Sequence, residues 1–137
     1  MSQLLRRRGT LILFTFWLLA YLIPLGWRPL VQPDELRHAE LAREILVSGD
    51  WVAHRISDLR YFDKPPLGHW LNAVSLTIFG ENAFAVRLVS CLCIGLIAAA
   101  LFYFTRHYAA SHNAGLITAL VFLSSPGALA MANYAVY

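Results

Sequence analysis

The sequence predicts an all-α membrane protein with about three transmembrane helices and the start of a fourth. Hydrophobic residues make up 58% of the 137 residues, and the mean hydropathy is +0.56, which exceeds the value of a typical soluble domain. A polar segment, residues 33–66, lies between the first two of three long apolar runs and holds every Asp and Glu except Glu81. We therefore expect the apolar runs to cross the membrane and the polar segment to carry the chemistry.

The first apolar run, residues 9–27, contains no charged residue and follows three consecutive arginines, Arg6–Arg8. Its length is about the 20 residues that a helix needs to cross a bilayer. An arginine cluster before an apolar run is also typical of a signal peptide, but this run is long and lacks a small-x-small cleavage site, which favours an uncleaved anchor. The positive-inside rule then predicts a cytoplasmic N-terminus and an external loop over residues 28–82. This loop would face the periplasm from the inner membrane of a bacterium, or a lumen in a eukaryote.

The external loop is expected to carry two short interfacial helices, near residues 34–48 and 66–79. For the first helix, Pro33-Asp34 is typical of a start, with Asp34 able to cap free backbone N–H groups, and Ser48-Gly49 is typical of an end. A 3.6-residue period puts apolar and charged residues on opposite sides of this helix. The predicted apolar side consists of Ala39, Ala42, Ile45 and Leu46, and the charged side of Arg37, Glu40 and Glu44.

Between these two helices, Trp51–Ala53 is predicted to be extended and residues 57–64 to form a loop. The second helix is predicted to start at the proline pair before Leu67 and to end at Gly80, which makes it too short to cross a bilayer.

The remaining apolar residues predict a second span at 83–105 and a third at 113–125, with a further helix starting at 126–137 because Pro126-Gly127 interrupts the run. An apolar segment without a polar tail needs other helices to cover its faces. We therefore expect the chain to be a truncated form or a part of something larger.

Composition also excludes some classes of function. The net charge is only +3 and the basic residues are scattered, so a nucleic-acid surface is not expected. Cys91 and Cys93 are two residues apart in an apolar run, where a helix directs them to different sides; we interpret them as packing residues rather than as a disulfide or a metal pair.

Asp34 and Glu35 are the first candidates for chemistry. A carboxylate near the lipid boundary is partly desolvated, which makes it a better proton acceptor. The structural alternative is that acidic residues simply favour the first turn of a helix.

Lys64 is the second candidate, because a lysine beside two rigid prolines at a helix start can contact a phosphate. Asp63 can orient this lysine or bind a divalent metal ion, and Arg37, Arg55 and Arg60 can add phosphate contacts. The alternative for each is a solvated charge that balances its neighbours.

Four blocks in one order resemble the lipid-linked-sugar glycosyltransferases of the membrane-embedded C superfamily, in particular the aminoarabinose transferase and protein O-mannosyltransferase group. The blocks are DELRHAELAREILVSGDWVAHRI, YFDKPPLGHWL, GENAFAVRL and SSPGALAMANYA, and the likeness extends from about residue 11 to residue 137. In this family a first external loop with two surface helices precedes many further spans.

The resemblance implies a role for several residues of the polar segment. Asp34 matches the loop carboxylate that acts as general base on the acceptor, Glu35 lies beside it, and Arg37 belongs to the same motif. Tyr61 and Lys64 match residues near the polyprenyl phosphate.

The resemblance also has two departures. Asp63 matches an acidic position associated with a metal or with the geometry of the cavity, where the family usually has the longer glutamate. His38 stands where the family usually has tyrosine.

We therefore expect the N-terminal module of an inverting glycosyltransferase that moves a sugar from a polyprenyl-phosphate donor to a lipid or protein acceptor on the external side. Its partners would be membrane lipid, the lipid-linked sugar, the acceptor and the remainder of the enzyme. The alternative is a non-catalytic remnant or subunit that binds lipid carrier or assembles with other transmembrane helices.

Overall fold

The computed structural model describes residues 2–31, 33–53, 55–56, 59–61 and 64–134, and these residues are mainly helical. Most of the described residues lie in helices, which confirms the all-α prediction. The described helices are α1 (Ser2–Trp17), α2 (Asp34–Ser48), α3 (Pro66–Phe79), α4 (Ala83–Tyr108), α5 (His112–Leu123) and α6 (Pro126–Ala132). Two short strands, β1 (Arg55–Ile56) and β2 (Leu59–Arg60), form an antiparallel hairpin.

The chain forms two compact units. The membrane unit comprises residues 2–24 and 91–133, and the loop unit comprises residues 25–90 with Tyr134. Two helical segments are long and apolar enough to cross a membrane, Arg8–Gly26 and Ala83–Tyr108, and α5 with α6 makes a third if this bent pair is counted as one span. The chain is therefore an integral membrane protein.

In the membrane unit, the first span changes its helical geometry before it ends. After α1 the chain continues as a π-helical turn, Leu18–Leu22, and then as a 3-10 turn, Ile23–Gly26. Pro24 explains this change, because its ring clashes with the carbonyl four residues earlier and it has no N–H to donate. In this segment the Tyr21 hydroxyl is buried and donates a hydrogen bond to the carbonyl of Leu123.

The third apolar run is broken, as Pro126 predicted. α5 and α6 meet at an angle of 65°. The Ser125 hydroxyl accepts a hydrogen bond from the backbone N–H of Ala128 at 3.3 Å and so caps α6. Tyr21 supplies a partner for a carbonyl at the end of α5, where the break removes the helical partner.

Small residues allow close helix contacts in the membrane unit. A Cβ at Gly115 would lie 2.7 Å from the carbonyl oxygen of Phe102, and a Cβ at Gly95 would lie 2.9 Å from the Trp17 ring. Helix association in membranes depends on such close approaches, because lipid provides little hydrophobic driving force. Cys91 is buried and Cys93 is exposed, and both thiols are free.

In the loop unit, α2 packs on α3 and on the start of α4. The shared apolar cluster consists of Ala42, Ile45, Ala73, Leu76, Ala85 and Val86. The predicted apolar side of α2 is wrong at Leu46, which is 37% exposed, and it misses three buried residues, Glu35, His38 and Leu41. His38 is inside because its ring stacks on the ring of His69 of α3.

The extended segment between α2 and α3 also differs from the prediction. Trp51–Ala53 bends, because the Asp50 side chain accepts hydrogen bonds from the backbone N–H groups of Val52 and Ala53 at 3.0 and 2.9 Å. The strands lie further along, at Arg55–Ile56 and Leu59–Arg60.

Candidate active site

The first part of the site is the N-terminus of α2, which exposes Asp34. The helix starts after Pro33, which already has helical backbone angles, so Asp34 lies in the first turn and makes no side-chain cap. The predicted capping role of Asp34 is therefore wrong. Its carboxylate is 46% exposed, and Oδ1 lies 3.9 Å from Nη1 of Arg37, which is an exposed and screened ion pair. Asp34 is thus an accessible carboxylate beside a cation and a helix N-terminus.

Glu35, the next residue, lies in a different environment. Its side chain is fully buried, and its two oxygens accept hydrogen bonds from Nε and Nη2 of Arg87, each at 2.7 Å. Oε2 also accepts a hydrogen bond from the backbone N–H of Val31 at 2.7 Å. A carboxylate with these partners is well suited to fixing the position of α2.

Arg87, in the first turns of α4, donates all five of its N–H groups. Besides the two bonds to Glu35, Nη1 donates to the carbonyls of Leu25 and Arg28 at 2.9 and 2.8 Å, and Nη2 donates to the carbonyl of Pro29 at 2.9 Å. A buried ion pair offsets its desolvation only when its remaining hydrogen-bonding groups are satisfied, and Arg87 meets this condition. It therefore connects the end of the first span, α2 and α4 within the loop unit.

Arg87 is the residue that the sequence reasoning did not single out. It is the only charged residue between Glu81 and Arg106. A charged side chain inside an apolar run costs free energy unless it is paired. The position of Arg87 in the sequence therefore indicated that it has a buried partner. The sequence did not identify Glu35 as that partner.

The hairpin brings two predicted cations together. Arg55 and Arg60 are directly opposite each other across the two strands, so their side chains leave the same face. Arg55 is half-buried and Arg60 is exposed, and β1 packs against α2. Two like charges in this position repel, and an anion between them would relieve the repulsion.

Lys64 and Tyr61 follow the hairpin and precede α3. Tyr61 is half-buried and Lys64 is exposed, and Pro65 is extended so that α3 begins at Pro66. The helix start and the lysine together offer a positive environment to an anion.

The structure gives no position for the predicted metal ligand, because Asp63 lies outside the described residues. Among the residues that are described, no three His, Cys, Asp or Glu side chains are grouped so that they could hold a metal ion.

Comparison with known proteins identifies the family. Residues 8–137 match the family described as dolichyl-phosphate-mannose-protein mannosyltransferase. The chain belongs to this family. Within the mannosyltransferase family, it is similar to undecaprenyl phosphate-alpha-4-amino-4-deoxy-L-arabinose arabinosyl transferases of known sequence.

Two of these transferases show the extent of the similarity. Arabinosyl transferase 1 of Proteus mirabilis is 48% identical to this chain over 128 residues, which cover 90% of this chain and 23% of the relative. The enzyme of Erwinia tasmaniensis is 42% identical over 129 residues, which cover 94% of this chain and 23% of the relative. The chain thus spans about a quarter of the length of these relatives.

A solved structure supports the same assignment. The crystal structure of ArnT from Cupriavidus metallidurans bound to undecaprenyl phosphate matches with a TM-score of 0.81 and 32% sequence identity. The match covers 91% of this chain and 23% of the ArnT chain. This member of the mannosyltransferase family has therefore the same fold as one segment of ArnT.

Proposed function

We propose that this chain is the acceptor-activating module of an inverting glycosyltransferase. The donor is a sugar linked to a polyprenyl phosphate, and the acceptor is a lipid or protein group on the external side of a bacterial inner membrane. The proposal is supported by the family assignment, by the relatives named as undecaprenyl-phosphate aminoarabinose transferases, and by ArnT, whose crystal structure contains undecaprenyl phosphate.

The observation that carries the proposal is the contrast between two adjacent carboxylates. Glu35 is buried and bonded on both oxygens, whereas Asp34 is 46% exposed at the helix start. Only the accessible carboxylate can approach a substrate. We therefore assign the general base to Asp34 and a positioning role to Glu35, which the resemblance had made a second catalytic candidate.

In this reaction the acceptor oxygen attacks the anomeric carbon of the sugar while its proton passes to Asp34. The new carbon–oxygen bond forms as the bond between the sugar and the phosphate breaks, so the polyprenyl phosphate leaves with the electron pair. Proton transfer to a positioned base contributes roughly 10²- to 10⁴-fold to such a step.

The leaving phosphate gains negative charge, which cations can stabilise. Lys64 supplies a point charge before α3, and Arg55 and Arg60 supply two guanidinium groups that face each other across the hairpin. We assign these three side chains, with Tyr61 and Arg37, to the binding of the phosphate and the sugar. In this assignment the bound phosphate offsets the repulsion between Arg55 and Arg60.

A chimera tests this function. This chain replaces the matching segment of the Proteus mirabilis transferase, and sugar transfer from the undecaprenyl-phosphate donor is measured in proteoliposomes. We expect transfer, and we expect Asp34→Asn to lower it roughly 10²- to 10⁴-fold. Glu40→Gln is the matched control, because the Glu40 side chain is also 46% exposed and lies on α2.

Two outcomes would overturn the proposal. Transfer that survives Asp34→Asn would place the base elsewhere. A chimera that binds donor but transfers nothing, beside an active parent enzyme, would indicate that this chain is a non-catalytic carrier-binding protein.

A further inference from the structure

A hydrogen bond joins two segments of the loop unit that lead to different parts of the proposed phosphate site. The indole Nε1 of Trp70, in the second turn of α3, donates to the backbone carbonyl of Trp51 at 2.6 Å. The two residues are 19 positions apart in the sequence. An indole N–H can only donate, so the direction of this bond is fixed. The bond therefore holds α3 to the bend that lies between α2 and the hairpin.

The bend before the hairpin has side chains as hydrogen-bond partners on both of its polar sides. The backbone N–H groups of Val52 and Ala53 donate to the Asp50 side chain at 3.0 and 2.9 Å. The carbonyl of Trp51 accepts the bond from α3. Backbone groups outside helices and strands need partners of this kind. The bend is thus closed on itself by Asp50 and tied to α3 by Trp70, and β1 starts two residues after Ala53.

The start of α3 restricts the position of Lys64. Pro65 has φ of −59° and ψ of 141°, and Pro66 opens the helix. A proline ring locks its own φ and also restricts the backbone of the residue before it. Lys64 is therefore tied to α3, whereas Arg55 and Arg60 are tied to each other by the pairing of the hairpin.

The three cations assigned to one phosphate repel one another before that phosphate binds. A neutral contact that links the segments bearing the cations opposes this repulsion. The bond from Trp70 to Trp51 is such a contact, because it connects the helix after Lys64 with the bend before Arg55. Groups that are held in place before binding lose less freedom when the ligand arrives, and this favours affinity.

We propose that Trp70 is a positioning residue for the lipid-linked donor. Its bond to Trp51 sets the distance between Lys64 and the arginine pair of the hairpin, so that all three cations meet one phosphate. The inference rests on the proposed function. It assigns Trp70 no contact with the substrate, and it places the effect of Trp70 on donor binding in Arg55 and Arg60.

The first test is the steady-state kinetics of Trp70→Phe in the chimera. This substitution keeps an aromatic ring and removes the N–H. We expect KM for the undecaprenyl-phosphate donor to rise about two- to tenfold, which is the range for one hydrogen bond, and KM for the acceptor to stay constant. A loss of folded protein would lower the maximal rate without this rise in KM. Trp27→Phe is the matched control, because Trp27 is 79% exposed in the same unit, and KM for the donor should not change.

The second test asks whether Trp70 acts through the hairpin. The double variant Arg55→Gln, Arg60→Gln removes both guanidinium groups and should itself weaken donor binding. In that background we expect Trp70→Phe to change KM for the donor by less than about twofold, because residues that act through each other are not additive.

The third test needs no catalysis. Spin labels at Leu59→Cys on β2 and Ile78→Cys on α3, both exposed positions, report the distance between the hairpin and α3 after Cys91→Ala and Cys93→Ser. We expect the distance distribution to broaden in Trp70→Phe and to stay constant in Trp27→Phe.

Three results would overturn the inference: a constant KM for the donor in Trp70→Phe, an equal rise in KM with and without the two arginines, or an unchanged distance distribution. A chimera that is inactive with every variant would count against the proposed function. The distance measurement would still decide whether Trp70 holds the hairpin to α3.

Discussion

Glu35 and Arg87 form a bidentate ion pair inside the loop unit, with both nitrogen–oxygen distances at 2.7 Å and a separation of 52 positions in the sequence. Both side chains are buried, at 0% and 1% exposure. The pair fixes the first turn of α2, and therefore the place of Asp34, against α4. Its loss should affect stability as well as transfer.

Arg87→Ala would leave the Glu35 carboxylate buried without its partner. We expect the free energy of unfolding to fall by about 3–5 kcal/mol, measured by reversible unfolding in mixed micelles. Arg43→Ala is the control, because it removes an exposed ion pair with Glu40 that water and salt screen. Equal effects of Arg87→Ala and Arg43→Ala would contradict a buried pair. The double variant Glu35→Leu, Arg87→Met should recover much of the lost free energy of unfolding, because it leaves no buried charge.

Gly115→Ala tests the close contact of α4 and α5. The added Cβ would lie 2.7 Å from the carbonyl oxygen of Phe102, so the helices must separate, and we expect a loss of about 1–3 kcal/mol in the free energy of unfolding. Gly127→Ala is the matched control in α6, where a Cβ meets no atom within 4 Å; a gain of about 0.4–1 kcal/mol is expected there. If Gly115→Ala were neutral, the contact would be looser than described.

Lys64→Ala tests the proposed phosphate contact. A charge-assisted hydrogen bond contributes about 1.5–3 kcal/mol, so KM for the undecaprenyl-phosphate donor should rise roughly ten- to a hundredfold in the chimera. Lys64→Arg should recover part of the affinity because it keeps the charge. An unchanged KM for the donor, with the acceptor saturating, would remove Lys64 from the site.

The membrane orientation can be measured with single cysteines in a background without Cys91 and Cys93. We expect a membrane-impermeant maleimide to label Glu81→Cys in intact cells, because residues 28–82 are predicted to be external. His107→Cys, also at an exposed position, should react only after the membrane is permeabilised. The opposite pattern would place the proposed site in the cytoplasm.

Local signals in the sequence were sufficient to predict where the two helices of the loop end and where the second one starts. α2 ends at Ser48 because Gly49 takes a left-handed backbone conformation with φ of 71°, and α3 starts at a proline and ends before Gly80. The break at Pro126 has the same local origin. Each of these limits depends on a residue whose own backbone preference decides it.

Long-range relationships were not predictable in the same way. The partner of Glu35 lies in another helix, and no spacing in the sequence connects it with Arg87. The burial of His38 likewise depends on His69 of α3. Propensity and period describe one segment at a time, whereas these features arise when two segments meet.

The five bonds of Arg87 also limit how such a protein can change over generations. A substitution of Glu35 or Arg87 alone leaves a buried charge, while a joint replacement by apolar residues is tolerated far better. The carbonyls of Leu25, Arg28 and Pro29 would lose their donor at the same time. Stepwise replacement of the ion pair by apolar residues therefore passes through a poorly folded single variant. We expect relatives to retain Glu35, Arg87 and the loop geometry around Asp34 together.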